Sequence, residues 1–245
     1  MNETNNAITL SSITVKRLAK DVREIMKNPL NDNGIHYIHN ESDMLRGQAL
    51  IIGPTDTPYE RGYYFFDFYF PHDYPHNPPT IKYRTNDSTT RFNPNLYKCG
   101  KVCVSILNTW HGEQWTGCQT ISSVLLTLCT LLNDTPLLNE PGVTQKHRDY
   151  NIYNEIITYK NFDVAIIGMI ENEYIKTKFT ELYKVMCSDF VKNYHNIINL
   201  LNRKKTDNKH LTTTLYKMDL FIDYKNIEVK MNELYQTLSN NYIKP

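Results

Sequence analysis

The chain has 245 residues, and 27 Lys and Arg stand against 26 Asp and Glu, a formal net charge of +1. That balance argues against a nucleic-acid surface, which shows a basic excess, and no apolar run nears the ~20 residues a bilayer-spanning helix needs. Five cysteines, an odd number, fit a reducing compartment better than a disulfide framework. The opening Met1-Asn2-Glu3-Thr4-Asn5-Asn6 lacks the basic and apolar regions of a secretory signal. Cys99 and Cys103 have no matching His or Cys pair downstream, so no zinc site is expected. The expectation is a soluble cytoplasmic or nuclear protein with no cofactor, no metal, no nucleic acid and no membrane partner.

In chain order, residues 1–11 are polar and expected to be mobile. A helix capped by Ser11 or Ser12 runs to about Lys27, and Pro29 ends it. Ile13, Leu18, Val22, Ile25 and Met26 fall roughly on one face, and Lys16, Arg17, Lys20 and Arg23 on the other. Four strand-like segments follow near 35–39, 44–52, 63–70 and 80–83, with turn signals at 31–34 and Gly53-Pro54. Segment 63–70 is almost wholly aromatic, which predicts a central strand buried on both faces. A helix followed by a meander is an α+β order with an antiparallel sheet.

Regular periodicity then lapses from Tyr83 to Ser105; such long irregular stretches inside a domain are usually functional or mobile. A helix starting at Thr120 or Ser122 runs through Leu132 with Val124, Leu125, Leu128 and Leu131 inward. Beyond Gln145, Tyr153, Ile156, Ile157, Val164, Ile167 and Ile170 give one or two helices. Phe179, Leu182, Tyr183, Met186, Phe190, Tyr194, Ile197 and Leu201 form an amphipathic stripe wide enough to favour packing on the core over docking a partner. Residues 203–213, with the short basic cluster Arg203-Lys204-Lys205, read as a polar linker. Ile227, Met231, Leu234, Tyr235, Leu238 and Tyr242 give a last helix.

The irregular stretch holds the informative pattern. Phe92-Asn93-Pro94-Asn95-Leu96-Tyr97-Lys98-Cys99-Gly100-Lys101-Val102-Cys103-Val104-Ser105-Ile106-Leu107 sets the Asn95 carboxamide eight residues ahead of Cys103, and Trp110 and Trp115 follow. A thiol with an amide suits acyl transfer through a thioester: the thiolate holds the acyl group, and an N–H stabilises the oxyanion formed when a nucleophile attacks. His111 is the nearest histidine along the chain, so no protease-type base adjoins Cys103 in sequence. A bland reading stands beside each residue: an inert buried thiol for Cys103 and a turn residue for Asn95. Cys99, Cys118, Cys129 and Cys187 keep that reading, with Cys99 close enough to test as a second thiol.

These residues resemble the ubiquitin-conjugating enzymes, whose pattern is His-Pro-Asn, a Gly, and the catalytic Cys eight residues after the Asn. Asn93 replaces the histidine, while Pro94, Asn95 and the spacing hold. Phe70-Pro71-His72-Asp73-Tyr74-Pro75-His76-Asn77-Pro78-Pro79 is similar to the family's proline-rich loop. Trp115 with Ile121-Ser122-Ser123-Val124-Leu125-Leu126 is similar to its post-catalytic helix. The Asn-Pro-Asn form, the Thr109-Trp110-His111-Gly112 insertion and Asn139-Glu140-Pro141-Gly142 resemble the large subgroup that includes the BIR-repeat-containing enzymes.

The resemblance covers roughly residues 14–175. It implies a mobile N-terminus over 1–11, a ubiquitin-conjugating core over 12–175 and a helical C-terminal extension over 176–245. It implies that Cys103 accepts ubiquitin, or a ubiquitin-like protein, from an activating enzyme and passes it to a lysine of a protein substrate, directly or with a ligase. Asn95 is then the oxyanion stabiliser or loop organiser, and Asn93 supplies some of the hydrogen bonds of a loop-shaping histidine. An acidic residue beyond the post-catalytic helix orients the attacking amine: Glu140 fits best, a one-residue shift gives Asn139, and Asp134 lies in the same region.

Lys16, Arg17 and Lys20 fall where the family docks its activating enzyme, and Pro75, His76 and Thr116-Gly117-Cys118 where it docks a ligase. His76 stands for a large apolar residue and Thr116-Gly117-Cys118 for Ser-Pro-Ala, which argues against ordinary RING-type docking. Trp115 matches a packing tryptophan, and Trp110 in the insertion would line the thioester groove. Two other activities compete. A silent module holding only ubiquitin or a ligase would lack the cysteine, and a cysteine hydrolase would need a His and an Asp or Asn around Cys103. The transfer reading requires an accessible Cys103 sulfur with the carboxamide beside it. Removal of 176–245 is expected to leave loading largely intact.

Overall fold

The computed structural model describes residues 10–242, so most of the expected mobile N-terminus and the side chain of Tyr242 lie outside it. Helix α1 (Ser12–Lys27) begins where Ser11 Oγ accepts from the Thr14 N–H at 3.0 Å, and it gives way at Asn28 just before Pro29. Its buried face is Thr14, Leu18, Asp21 and Ile25. Ile13 and Met26, expected inward, are 61% and 74% exposed. Polar partners turn the helix this way. Thr14 Oγ1 donates to the His72 carbonyl at 2.9 Å, and the Asp21 carboxylate accepts from Arg17 Nε and Tyr74 Oη. Those bonds offset the cost of burying an aspartate.

Strands β1 (Ile35–His39), β2 (Arg46–Ile52), β3 (Tyr63–Tyr69) and β4 (Thr80–Tyr83) form one antiparallel meander in chain order. The fold is therefore α+β, as the order of elements predicts. Helix α2 (Ile121–Thr130) opens in a reciprocal capping box between Thr120 and Ser123. Helix α3 (Tyr150–Lys160) continues as wider π-turns over Asn161–Gly168. A short α4 (Glu173–Lys178) leads into the long α5 (Thr180–Lys204).

The aromatic strand β3 explains how these parts join. Successive side chains point to opposite faces. Tyr64 and Phe66 look into an aromatic cluster, with ring centroids 5.6 Å from Tyr59, 6.1 Å from Phe92 and 5.5 Å from Tyr83. Tyr63 and Phe65 look the other way. Phe65 meets Phe179 edge-on at 5.3 Å, and Tyr63 Oη donates to Asp189 at 3.0 Å. The second face of the sheet is thus closed by residues beyond position 175.

Strand β5 (Lys209–Thr212) pairs with β6 (Asp219–Ile222) in a hairpin, where a polar linker over 203–213 was expected. Its pattern is faint in sequence because most of its side chains face solvent; Leu211, Met218 and Ile222 are the buried apolar ones. Helix α6 (Tyr224–Tyr242) returns along α5, with Tyr235 stacked on Tyr194 at 3.9 Å. One continuous hydrophobic core runs from Leu18 to Met231. Residues 176–245 are an extension in sequence and part of the same core in packing.

Phe179 is fully buried. Phe179→Ala is expected to lower stability by about 3–5 kcal/mol in urea unfolding, and truncation after 175 to give an insoluble chain instead of a loadable core. An unchanged midpoint for the point variant would show that the extension does not hold the sheet.

Candidate active site

The eight-residue spacing between Asn95 and Cys103 is an antiparallel register. Leu96 bridges to Val102, and the Tyr97 N–H donates to the Lys101 carbonyl at 2.9 Å. The turn between them closes at Gly100, whose φ of +88° and whose Cα, where a Cβ would sit 2.7 Å from the Tyr83 carbonyl, both require glycine. One step back along this register, Asn95 lies opposite Cys103. The Cys103 N–H donates to the Asn95 carbonyl at 2.9 Å, and Asn95 Nδ2 donates to the Cys103 carbonyl at 2.6 Å. The carboxamide is locked beside the cysteine, and Nδ2 retains a second hydrogen beyond the one given to that carbonyl.

Asn93 fixes the near arm. Its Nδ2 donates to the Leu131 carbonyl at 2.7 Å and to Tyr59 Oη at 3.2 Å. Its Oδ1 accepts from the Asn95 N–H at 2.9 Å and from Asn139 Nδ2 at 3.3 Å. The residue is 0% exposed, and these bonds satisfy it. Arg91 braces the same arm: Nε donates to the Asn93 carbonyl at 3.1 Å and Nη2 to the Pro94 carbonyl at 2.6 Å. Nothing in sequence singled out Arg91, Tyr59 or the C-terminal Tyr216. Tyr59 and Tyr216 act across separations that no local spacing records, whereas Arg91 lies only two and three residues from the carbonyls it holds.

Cys103 is covered. It keeps 2% exposure, against the accessible sulfur expected from sequence. The chain after it turns back through Ser105–Leu107, and Asn108 adopts a left-handed φ of 56°. Thr109 Oγ1 then accepts from the Val104 N–H at 2.9 Å and reaches the Val102 carbonyl at 3.2 Å. The two residues flanking Cys103 are thereby clasped by one exposed threonine. Among the other thiols, Cys99 and Cys118 are exposed, Cys129 is half-buried with its pKa raised by burial, and Cys187 is buried.

The remaining candidates separate into groups. Asn139, half-buried, joins the Asn93 network and accepts at Oδ1 from Asn133 Nδ2 at 3.3 Å. Glu140 follows it, and its Oε2 accepts from Tyr216 Oη at 2.5 Å. Asp134 is exposed, with its carbonyl accepting from Asn154 Nδ2. Trp110 is half-buried in the loop after Cys103, its ring 6.4 Å from that of exposed His111.

On α1, Lys16 and Lys20 are exposed, but Arg17 is spent on the fold: it pairs with Asp21 and donates to the carbonyls of Gly117 and Gln119. The Pro75 carbonyl accepts from Trp115 Nε1 at 2.7 Å, and His76 is exposed. Arg17, Pro75 and the 115–119 loop therefore make one continuous surface. Among the described residues no three His, Cys, Asp or Glu side chains stand close enough to hold a metal ion, and no helix is long and apolar enough to cross a membrane.

The family model described as "Ubiquitin-conjugating enzyme" matches residues 17–160. Ubiquitin-conjugating enzyme E2 Z of Xenopus tropicalis is 38% identical over 194 residues, 73% of this chain and 61% of that protein. The Homo sapiens E2 Z is 39% identical over 188 residues, 71% of this chain and 52% of that protein. The Homo sapiens dual E2 ubiquitin-conjugating enzyme/E3 ubiquitin-protein ligase BIRC6 is 39% identical over 170 residues, 62% of this chain and 4% of that protein. The chain spans little more than half the length of the E2 Z relatives it matches.

Thiol reactivity follows accessibility as well as thiolate character. Alkylation of the native protein, read by mass spectrometry, is expected to modify Cys99 and Cys118 first and Cys103 on the order of tenfold more slowly. Equal rates at all three would mean that the Cys103 sulfur is uncovered in solution.

Proposed function

The chain belongs to the ubiquitin-conjugating enzyme family, and from that premise we propose that it carries ubiquitin as a thioester on Cys103 and passes it to a lysine amine. The observation that carries this reading is the locked pair of Asn95 and Cys103, with the carboxamide bonded to the main chain of the cysteine itself. In loading, the Cys103 thiolate attacks the thioester by which an activating enzyme holds ubiquitin, and the activating enzyme's thiolate leaves. In transfer, a lysine ammonium first loses a proton. Its nitrogen attacks the thioester carbonyl, the carbon–sulfur bond breaks with its electron pair on sulfur, and a second proton leaves nitrogen to give the amide.

The free hydrogen of Asn95 Nδ2 suits the oxyanion of that intermediate, and Glu140 suits the ammonium, being the carboxylate next to the Asn139 that bonds Asn93. Loading requires the covered sulfur to become accessible, and the exposed Thr109, bonded to the main chain on either side of Cys103, is the contact expected to open. Lys16 and Lys20, free on the surface, are the α1 residues left to meet the activating enzyme, and exposed His76 faces a ligase. His111 projects into solvent beside Trp110, which disfavours a hydrolase.

The chain is incubated with an activating enzyme, ATP and ubiquitin, and the products are resolved with and without reductant. A reductant-sensitive adduct lost in Cys103→Ala is expected. Absence of an adduct with ubiquitin and with ubiquitin-like proteins refutes the reading, and an adduct with the latter alone reassigns the modifier. Asn95→Ala is expected to load and then discharge to lysine roughly 100-fold more slowly; equal loss of both steps would reduce Asn95 to a structural residue.

A further inference from the structure

The tip of the C-terminal hairpin reaches the active-site segment. Tyr216 and Lys217, consecutive and neither of them glycine, hold left-handed φ of 64° and 49°. That backbone is unfavourable for such residues and persists where the surroundings impose it. Here the surroundings are the start of α3 and the segment that carries Asn95 and Cys103. The buried Asp149 carboxylate accepts from the N–H groups of Thr214 at 2.9 Å and Leu215 at 2.8 Å. Lys98 Nζ donates to the Tyr216 carbonyl at 3.0 Å, and the Arg91 N–H meets Met218 Sδ at 3.4 Å.

The strained turn delivers one side chain to two places. The Tyr216 hydroxyl donates to Glu140 Oε2, and its ring lies under the Arg91 guanidinium at 5.1 Å, the same guanidinium that sits 3.3 Å over Tyr97 and holds the Asn93 and Pro94 carbonyls. We propose that Tyr216 is a positioning residue for the amine-transfer step, fixing the Glu140 carboxylate beside the Asn93–Asn95 arm so that its second oxygen meets the incoming lysine ammonium. This rests on the conjugating function proposed above and adds a part supplied from outside the family-matching segment. A glutamate side chain has three rotatable bonds, and tethering one oxygen removes most of that freedom before the substrate arrives. The phenol stays a donor, because burial and the adjacent carboxylate both hold its pKa above the ordinary tyrosine value. The proton balance is that of the transfer step: the ammonium gives one proton to Glu140 or, through it, to solvent, and no other reagent is consumed.

The test uses the full chain, loaded with modifier and then freed of activating enzyme, in single-turnover discharge to free lysine from pH 7 to 9.5. Tyr216→Phe keeps the ring over Arg91 and removes only the hydroxyl. It is expected to discharge roughly tenfold more slowly near pH 7. The gap should narrow as pH climbs toward the ~10.4 of a free lysine, where the amine sheds its proton unaided. Glu140→Gln should show the same pH-dependent defect, and adding Tyr216→Phe to it should change little, since both act through one contact.

Discharge of Tyr216→Phe at the unmodified rate overturns the positioning role. So does a defect equal at all pH values, or one that multiplies with Glu140→Gln. If instead the unmodified chain never loads, it is the conjugating reading that falls, and with it this one. A chain that loads and discharges with Tyr216→Phe indistinguishable removes the positioning role alone.

Discussion

The active-site arm is held in place by one buried carboxamide. Asn93 sends its two hydrogens to the end of α2 and to the aromatic cluster, and receives at its oxygen the Asn95 backbone and the Asn139 side chain. Four separate pieces of chain are registered against one another through a group that no water reaches. Leaving any of those partners unpaired would cost about 1–3 kcal/mol, so the arrangement is strongly preferred over its near alternatives. A neutral imidazole offers one donor and one acceptor, whereas the amide offers two donors and two acceptor sites. Asn93 in place of the family's histidine is therefore a richer junction here.

That junction sits on a sheet which needs both of its faces covered. Apart from Asp67, which pairs with Arg84, the side chains of β3 are aromatic in both directions, so both sides favour a cover. The Tyr64 side closes with Tyr59 and with Tyr83 and Phe92, which lead into the active-site arm; the Phe65 side closes with Phe179 and α5. Composition at one strand thus obliges the last seventy residues to pack against the first hundred. It also accounts for why the hairpin beyond α5 can arrive beside Glu140 with its own backbone under strain: α5 and α6 anchor it from behind.

Much of this was legible from residues alone. The meander, α1, α2 and the stripe of α5 follow from periodicity and caps, because each is decided within a turn or a strand pair. The Asn95 and Cys103 pairing was legible because an antiparallel register is a fixed spacing. What stayed hidden depends on distance along the chain. Arg17 reads as a free cation on a helix face, yet it is consumed by carbonyls at 117 and 119. Ile13 reads as core, yet Thr14 and Asp21 hold the inward face by polar bonds that periodicity of apolar residues does not score. The hairpin's Tyr216 meets Glu140 across 76 positions, and its strands are mostly solvated, so no alternation announces them.

The covered sulfur is the point where sequence and structure part most sharply. Among the described residues the thiols open to solvent, Cys99 and Cys118, have no carboxamide bonded to their main chain, so accessibility and the Asn95 pairing point to different cysteines. At Cys103 the two sides of the site differ in how firmly they are made. On one side Asn93 and Asn95 are buried, Asn93 has all its side-chain groups bonded, and Asn95 keeps one Nδ2 hydrogen in hand. On the other, the chain after Cys103 makes a turn with a left-handed Asn108 and is held to the Val104 main chain by Thr109, followed by residues 111–114, all exposed. Ile106 and Leu107 anchor that turn in the core, and its solvent-facing part is Asn108, Thr109 and residues 111–114. On the conjugating reading proposed above, loading needs the covered sulfur to be uncovered from this solvent-facing side, while the bonded Asn95 stays opposite the cysteine on the other.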